Sequence, residues 1–362
     1  MDVKQLLKLM VQREISDIHF KAGGVPALRI HGKMVAAANL AKLSPEDVRK
    51  IAYELMPPDQ AKIFEERNEL DLAYSLEGVS RFRVNVYRQR GTIGLTLRLI
   101  PLKVRSFGEL HLPEEVFQRL AQESRGLILF SGITGAGKTT SMNCFLNYLN
   151  ESLPYRIITV EDPIEYYHED VKSSIVQREV GHDTKSFASA LRHVLRQDPD
   201  VVVIGEMRDF ETIQAAITAA ETGHLVLSTI HTIDAVQTVD RIIDAYPAHQ
   251  HAQIRQQLGN VLKGVIGQRL IASADGRSRF PACEVLIGNS MVRRYITEGK
   301  SQELYKAMES GGYYGMRTFD QDLLRLVQEG RIDQKGASEH ATNPEDLALK
   351  FRGVSAGVNA AE

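Results

Sequence analysis

Residues 126–150 read GLILFSGITGAGKTTSMNCFLNYLN. An apolar run is followed by a glycine-rich turn and then by a helix-forming stretch. The turn fits the pattern Gly132-x₄-Gly137-Lys138-Thr139. Glycines at these places let the backbone curl until its N–H groups face the oxygens of a phosphate, and the helix that follows adds its positive end. In such a turn Gly132, Thr134, Gly135, Ala136, Gly137, Lys138, Thr139 and Thr140 form the cradle for the phosphates of ATP. Lys138 reaches the β- and γ-phosphates, and the Thr139 hydroxyl ligates Mg²⁺. A strand before and a helix after are the context the motif requires, and both are present in the pattern.

Outward from this point, short apolar runs alternate with helical stretches. RIITVED, DVVVIGE and HLVLSTIH read as strands; KSFASALRHVLRQ and FETIQAAITAAE read as helices. Strands that are apolar on both faces and separated by helices predict a parallel sheet covered on both sides, an α/β class. Functional loops then belong at the carboxyl ends of the strands. The residues before position 101 have a different texture. Asp2 to Arg13 is an amphipathic helix pattern; ISDIHF and PALRIHGKMV are predicted as two strands around a Gly23-Gly24 turn. Ser44-Pro45-Glu46-Asp47 is a helix start. DLAYSL, SRFRVNVYRQ and TIGLTLRLI alternate on period two, as half-buried strands do. The expected organisation is therefore a smaller α+β domain over residues 1–100, a proline-flanked linker over 101–113, a P-loop domain over 114–340 whose C-terminal third is mostly helical, and a weakly structured tail over 341–362.

Three further patterns carry chemistry. Val201-Val202-Val203-Ile204-Gly205-Glu206 is an apolar strand ending in an acid, and a carboxylate there can hold the water shell of Mg²⁺. Glu161-Asp162-Pro163-Ile164-Glu165 places three carboxylates at the end of another strand, one of which can orient the attacking water. His224 and His231 bracket the strand LVLSTI, and a histidine at a strand tip can sense a γ-phosphate. The other histidines considered, His19, His31, His168 and His193, are read as structural. Arg81, Arg83, Arg88, Arg90 and Arg98 form a cationic strand pair in the first domain. Its bland reading is a solvated face. Its sharp reading is a set of guanidinium groups offered to the nucleotide of a neighbouring subunit.

Composition narrows the classes. The chain has 362 residues, a net charge of −2 and two cysteines, Cys144 and Cys283. Two distant cysteines exclude a disulfide framework and a four-cysteine zinc site. No run of about 18 apolar residues occurs, so direct membrane insertion is not expected. Balanced charge argues against a nucleic-acid substrate, whose phosphates call for a basic excess. It therefore disfavours a DNA-translocating motor.

ITVEDPIEYYH, RQDPDVVVIGEMRD, TGHLVLSTIHT and the P-loop together resemble the secretion-ATPase superfamily, and within it the retraction ATPases of type IV pili. In that family these stretches are the Asp box, Walker B and the His box. The likeness spans roughly residues 5–335, including QREVG (Gln177 to Gly181) and the N-terminal SDIH and GVSRFRVN. It implies a PAS-like domain ahead of a RecA-like one, a cytosolic homohexamer, and ATP lying between domains and subunits. It also implies Glu165 as catalytic glutamate, Glu206 as the Walker B acid, His231 as the His-box contact, and Arg83 and Arg98 as arginine fingers, with Arg81 behind them. The implied partner is an inner-membrane platform protein of the pilus, and a paralogous ATPase is a further one. The chain lacks the extra N-terminal domain and tetracysteine loop usual in pilus-extension and type II secretion relatives. It departs from the family in Ile133 and Ala136, where Pro and Ser are commoner, and in MVRRYI (Met291 to Ile296) at the place of an AIRNLI-like element. An accessory paralogue and a conjugation-type secretion ATPase are the alternative readings.

Overall fold

The computed structural model describes residues 2–13, 15–30, 33–37, 40–100 and 104–353. They divide into two compact units, one built mainly from the first hundred residues and one from Val104 onward.

The first unit is a six-stranded antiparallel sheet. Its strands are β1 (Ile15–Lys21), β2 (Ala27–Ile30), β3 (Lys33–Ala36), β4 (Glu69–Leu76), β5 (Ser80–Gln89) and β6 (Thr92–Ile100), in the order β3-β2-β1-β6-β5-β4. Alternation sends Ile18, Phe20, Val84, Val86, Leu95 and Leu97 to one face, where they share a core with Leu7, Met10, Ile51 and Phe64 of the helices. Ser44 caps the helix Pro45–Leu55 in a reciprocal capping box with Asp47, which satisfies two backbone donors that would otherwise lack partners. One element differs from expectation. PALRIHGKMV is not one strand but the antiparallel pair β2 and β3, with Ile30 opposite Lys33. The polar-glycine pair His31-Gly32, which the period-two pattern passes over, is the sequence signal for a reversal; both residues lie outside the described ones.

The second unit is a seven-stranded sheet. It comprises β7 (Gly126–Ser131), β8 (Arg156–Glu161), β9 (Ser174–Glu179), β10 (Val201–Ile204), β11 (Leu225–Ile230), β12 (Leu262–Ala272) and β13 (Arg279–Ile287), in the order β13-β12-β7-β11-β10-β8-β9. Every neighbouring pair is parallel except β12 with β13. Strands β7, β10 and β11 are buried along their whole length. Leu127 and Leu129 enter one core and Ile128 and Phe130 the other, as a sheet covered on both faces requires. This is the α/β core that the sequence pattern predicts.

Two stretches differ from the sequence-based expectation. The chain after Val261 is not continuously helical: the helix His251–Val261 ends and β12 begins at Leu262. The apolar residues of LKGVIGQRLIA fit a helical or a strand period equally in so short a run. Burial decides, because Gly264 and Gly267 let Leu120 and Phe319 approach to where a Cβ would stand 3.2 and 3.1 Å from them. The stretch expected to link the domains is, from Val104 to Pro113, part of the second unit. Phe107 and Leu112 are buried there, with the Phe107 ring 5.0 Å from that of Phe117. Residues 101–103 lie outside the described ones. The short helix that the stretch PEDLALKF allows within the expected tail is present as Pro344–Phe351, anchored by the fully buried Leu347; residues 354–362 are not described.

Candidate active site

The P-loop follows β7. Gly132, Gly135 and Gly137 all have positive φ (149°, 82° and 91°). Gly132 is also enclosed, since a Cβ there would stand 2.7 Å from the Gln268 carbonyl oxygen and 2.9 Å from Ala136. The helix Lys138–Ser152 begins with no side-chain cap, which leaves its first N–H groups to be satisfied by something else. Lys138 is buried, and its Nζ donates to the carbonyls of Gly132 at 2.8 Å and Ile133 at 3.1 Å. Thr139 and Thr140 are half-buried on the first turn. Thr134 and Gly135 are exposed at the tip and Ala136 is buried beneath it. A cavity of about 390 Å³ borders the outer side of the loop, between Ile133, Gly135, Ile233, Gln268 and Leu270.

The carboxyl ends of β10 and β11 lie beside this turn. Glu206 follows β10; its side chain is 14% exposed, and its two oxygens sit 2.7 Å from Arg208 and 3.4 Å from His231 Nε2. His231 follows β11. Burial and the charge of Lys138 hold its pKa below the ordinary histidine value, while Glu206 pulls the other way. The imidazole is therefore neutral at pH 7, and Lys138, His231 and Glu206 form one electrostatic group. Thr229 Oγ1 donates to the Gly205 carbonyl at 2.7 Å and Met207 N to the Thr229 carbonyl at 3.0 Å, which ties the two strand tips together.

The loop after β8 carries the other acids. Glu161 is buried, accepting from Thr159 Oγ1 at 2.7 Å and Gln177 Nε2 at 3.2 Å. It is a fixed structural acceptor. Asp162 and Glu165 are exposed on the loop. The far end of the loop is tied to the P-loop helix: Asn143 Nδ2 donates to the Thr139 carbonyl at 2.9 Å, and its Oδ1 lies 2.7 Å from His168 Nε2. Because the Asn143 oxygen can only accept, Nε2 carries the proton. Burial lowers the His168 pKa to about 4, so that tautomer persists at pH 7.

Several expected residues fall elsewhere. His224 is at the start of β11, at the opposite edge from the P-loop, where its Nδ1 lies 3.0 Å from the Ala219 carbonyl at the end of the helix Phe210–Glu221. It is a helix-end contact, and the bracketing by sequence position misled because a strand has two ends. In the first unit, Arg81, Arg83 and Arg98 share the polar face of the sheet. Arg83 is directly opposite Arg98. Arg88 has the other parity; it bonds Glu65 at 2.7 Å and lies over the Phe64 ring. Arg90 occupies the β5–β6 turn with φ 46°. Neither belongs to the row.

The model of the family described as Type II/IV secretion system protein matches residues 1–335. The chain belongs to this family. It is 43% identical over 347 residues to the type IV pilus retractation ATPase PilT of Pseudomonas aeruginosa, covering 96% of this chain and all of that one. It is 39% identical to the type IV pilus ATPase PilU of the same organism, over 97% of this chain and 92% of the other. A solved structure described as the pilus retraction motor PilT with bound ADP superposes with a TM-score of 0.90, at 42% identity, over 96% of this chain and 99% of that one.

For a member of the Type II/IV secretion system family the oxygen donors fit Mg²⁺. Among the described residues no cluster of three His, Cys, Asp or Glu could hold a metal by itself. Mg²⁺ keeps most of its water and needs only one or two protein oxygens beside substrate phosphates; the Thr139 hydroxyl and the Glu206 carboxylate are of that kind. Sequence reasoning missed Arg208, Asn143 and Gln177 at this site; His168, read as structural, is a buried contact of that kind. Arg208 had a visible signal, a cation two residues after the strand-end acid. The others pair across 9 to 25 residues of sequence and had none.

Proposed function

We propose that this chain is the subunit of a homohexameric, Mg²⁺-dependent motor that spends ATP to retract type IV pili. The chain is an ATP hydrolase of the secretion ATPase class. The observation that carries the reading is the grouping of Lys138, Glu206 and His231 at one edge of a parallel sheet, in a chain alignable almost end to end with a pilus retraction ATPase. The related motor solved with ADP supports an adenine nucleotide. The nucleoside end fits the cavity walled by Ile133, Ile233 and Leu270. Phosphates lie on the amides of Gly132 to Thr140, Lys138 turning from its own loop carbonyls to their oxygens. The Thr139 hydroxyl and, through water, the Glu206 carboxylate would hold Mg²⁺, which would supply positive charge against the phosphates. Glu165 orients the attacking water, and His231 passes the state of the site to Glu206. Arg83 and Arg98 reach the nucleotide of a neighbouring protomer. The mechanical output goes to a platform protein at the inner face of the membrane; no described helix is long and apolar enough to cross it.

The test is a Lys138→Ala replacement in the host. Excess, immobile pili and lost twitching are expected, with no ATP hydrolysis by the purified variant. Bald cells would instead mean an extension motor. The likeness to PilU supports an accessory role as the second reading; normal twitching in the variant, with hydrolysis abolished, would favour it.

A further inference from the structure

A row of side chains crosses the polar face of the first unit's sheet. Strand pairing sets Arg29 opposite Asp17, Asp17 opposite Arg98, and Arg98 opposite Arg83. Three of the four are cations, and like charges directly opposite one another destabilise a sheet. Asp17 compensates Arg98 and Arg29, while Asp71 lies 4.0 Å from Arg83. The Asp17 side chain is only 4% exposed; Oδ1 accepts from Arg98 Nε at 2.7 Å, while Oδ2 accepts from Ser16 Oγ at 2.9 Å and lies 3.6 Å from Arg29 Nε. A buried carboxylate is costly unless paired, and both oxygens of this one are engaged.

The backbone is arranged to put it there. Ile15 is opposite Ile30 and Asp17 opposite Arg29, so Ser16 is an extra residue, a bulge in β1. In a regular strand Asp17 would share a face with Ile15, which is buried in the apolar core. The bulge turns Asp17 to the other side, the re-aiming that such irregularities perform. The consequence falls on Arg98, whose side chain is 65% exposed although its Nε is bound to a buried acceptor. A guanidinium is planar, so holding Nε fixes the plane and leaves the outer edge, one N–H from each terminal nitrogen, facing away from the carboxylate.

We propose that Asp17 is a positioning residue for hydrolysis: it holds Arg98 as a preorganised two-pronged donor for the terminal phosphate oxygens of the bound nucleotide. This rests on the assignment of Arg98 as an arginine finger. Arg29, 3.6 Å from the second carboxylate oxygen, helps to hold Asp17 in place.

Two replacements in the full-length ring test it. Asp17→Asn preserves shape and removes the charge; Asp17→Glu preserves the charge and shifts the carboxylate by one methylene. Each is expected to lower kcat about 10²-fold, the scale of a displacement of about 1 Å in a reacting group. KM for ATP, ring assembly and melting temperature should stay near the parent values. In an Arg98→Ala background both should be silent, because nothing is left to position. Full turnover in Asp17→Asn or Asp17→Glu, with Arg98→Ala slow, overturns the role of Asp17 and leaves the finger standing. Losses that multiply with Arg98→Ala also overturn it, as a general effect on the sheet. Full turnover in Arg98→Ala alone removes the finger assignment itself. Should Asp17→Asn not fold, Asp17→Glu carries the test.

Discussion

Glu165 and Glu161 sit four residues apart on the same strand-end segment, yet their surroundings assign them different work. Glu161 is buried with Thr159 and Gln177 donating to it, so its lone pairs are committed. Glu165 is exposed, and on the proposed reading it is the residue that orients the attacking water. Replacing Glu165 by Gln removes the basic oxygen and keeps the size. Hydrolysis is expected to fall by about 10²-fold or more, the range general-base groups contribute, while nucleotide binding measured by calorimetry stays at the parental level. Undiminished turnover would move the base elsewhere, to Asp162 among the acids of that loop. The P-loop, Glu206 and His231 were legible in the sequence because their chemistry demands residue types at fixed local spacings. Arg208 was legible in principle. Asn143 and Gln177 were not, because their roles come from hydrogen bonds between separate elements; His168 is read as structural from the sequence, but a lone histidine carries no pattern that names its partners.

The helix Lys138–Ser152 does more than present its positive end to phosphate. Its face bearing Asn143 and Asn150 grips the chain that leaves the loop after β8. Asn143 takes His168, and Asn150 accepts from Val171 N at 3.1 Å and donates to the Glu169 carbonyl at 2.8 Å. This seam titrates. The folded pKa of His168 is about 4 against an ordinary 6.5, so between those values the unfolded chain binds a proton that the folded chain refuses. Stability from this group is complete above pH 6.5 and is lost as pH falls toward 4, by about 3 kcal/mol in all. Denaturant midpoints at pH 7 and pH 4.5 should show it. Compared with the parent, His168→Gln should lose about 2–3 kcal/mol less between the two conditions; an identical pH dependence would mean that His168 is not held neutral. At this scale β5 and β6 were readable by their period-two alternation, and β7 and β8 by their unbroken apolar runs. Strand β12 was not, since Leu262–Ala272 follows a true helix without a break signal and owes its conformation to an open edge on β7, which only the folded sheet supplies. The β2–β3 pair was missed for a simpler reason: two four-residue strands are too short for their period to show.

On the proposed reading one chain carries two parts of a catalytic pocket by residue type: a phosphate cradle with Lys138 in one unit, and a row of arginines around Asp17 in the other that serves another copy. A ring makes such use possible, because every copy then gives its arginines to one neighbour and receives them from the other. The arrangement predicts a turnover number that depends on assembly. Diluted below its association range, the chain should bind nucleotide but hydrolyse it about 10³-fold or more slowly, since arginines supplied between subunits are worth about 10³–10⁵ in rate. Specific activity should rise with protein concentration and level off as light scattering reports complete rings. DNA should leave the plateau unchanged. Mixed rings offer the sharper measurement. A Lys138→Ala subunit is dead in its own cradle but still carries Arg83 and Arg98, and an Arg98→Ala subunit has a sound cradle but no finger to lend. Mixed in equal amounts, the two should recover activity that neither has alone, because an Arg98→Ala cradle seated beside a Lys138→Ala neighbour regains a complete pocket. If the mixture is as inactive as its parts while mixed assembly is verified, the arginines act within their own chain.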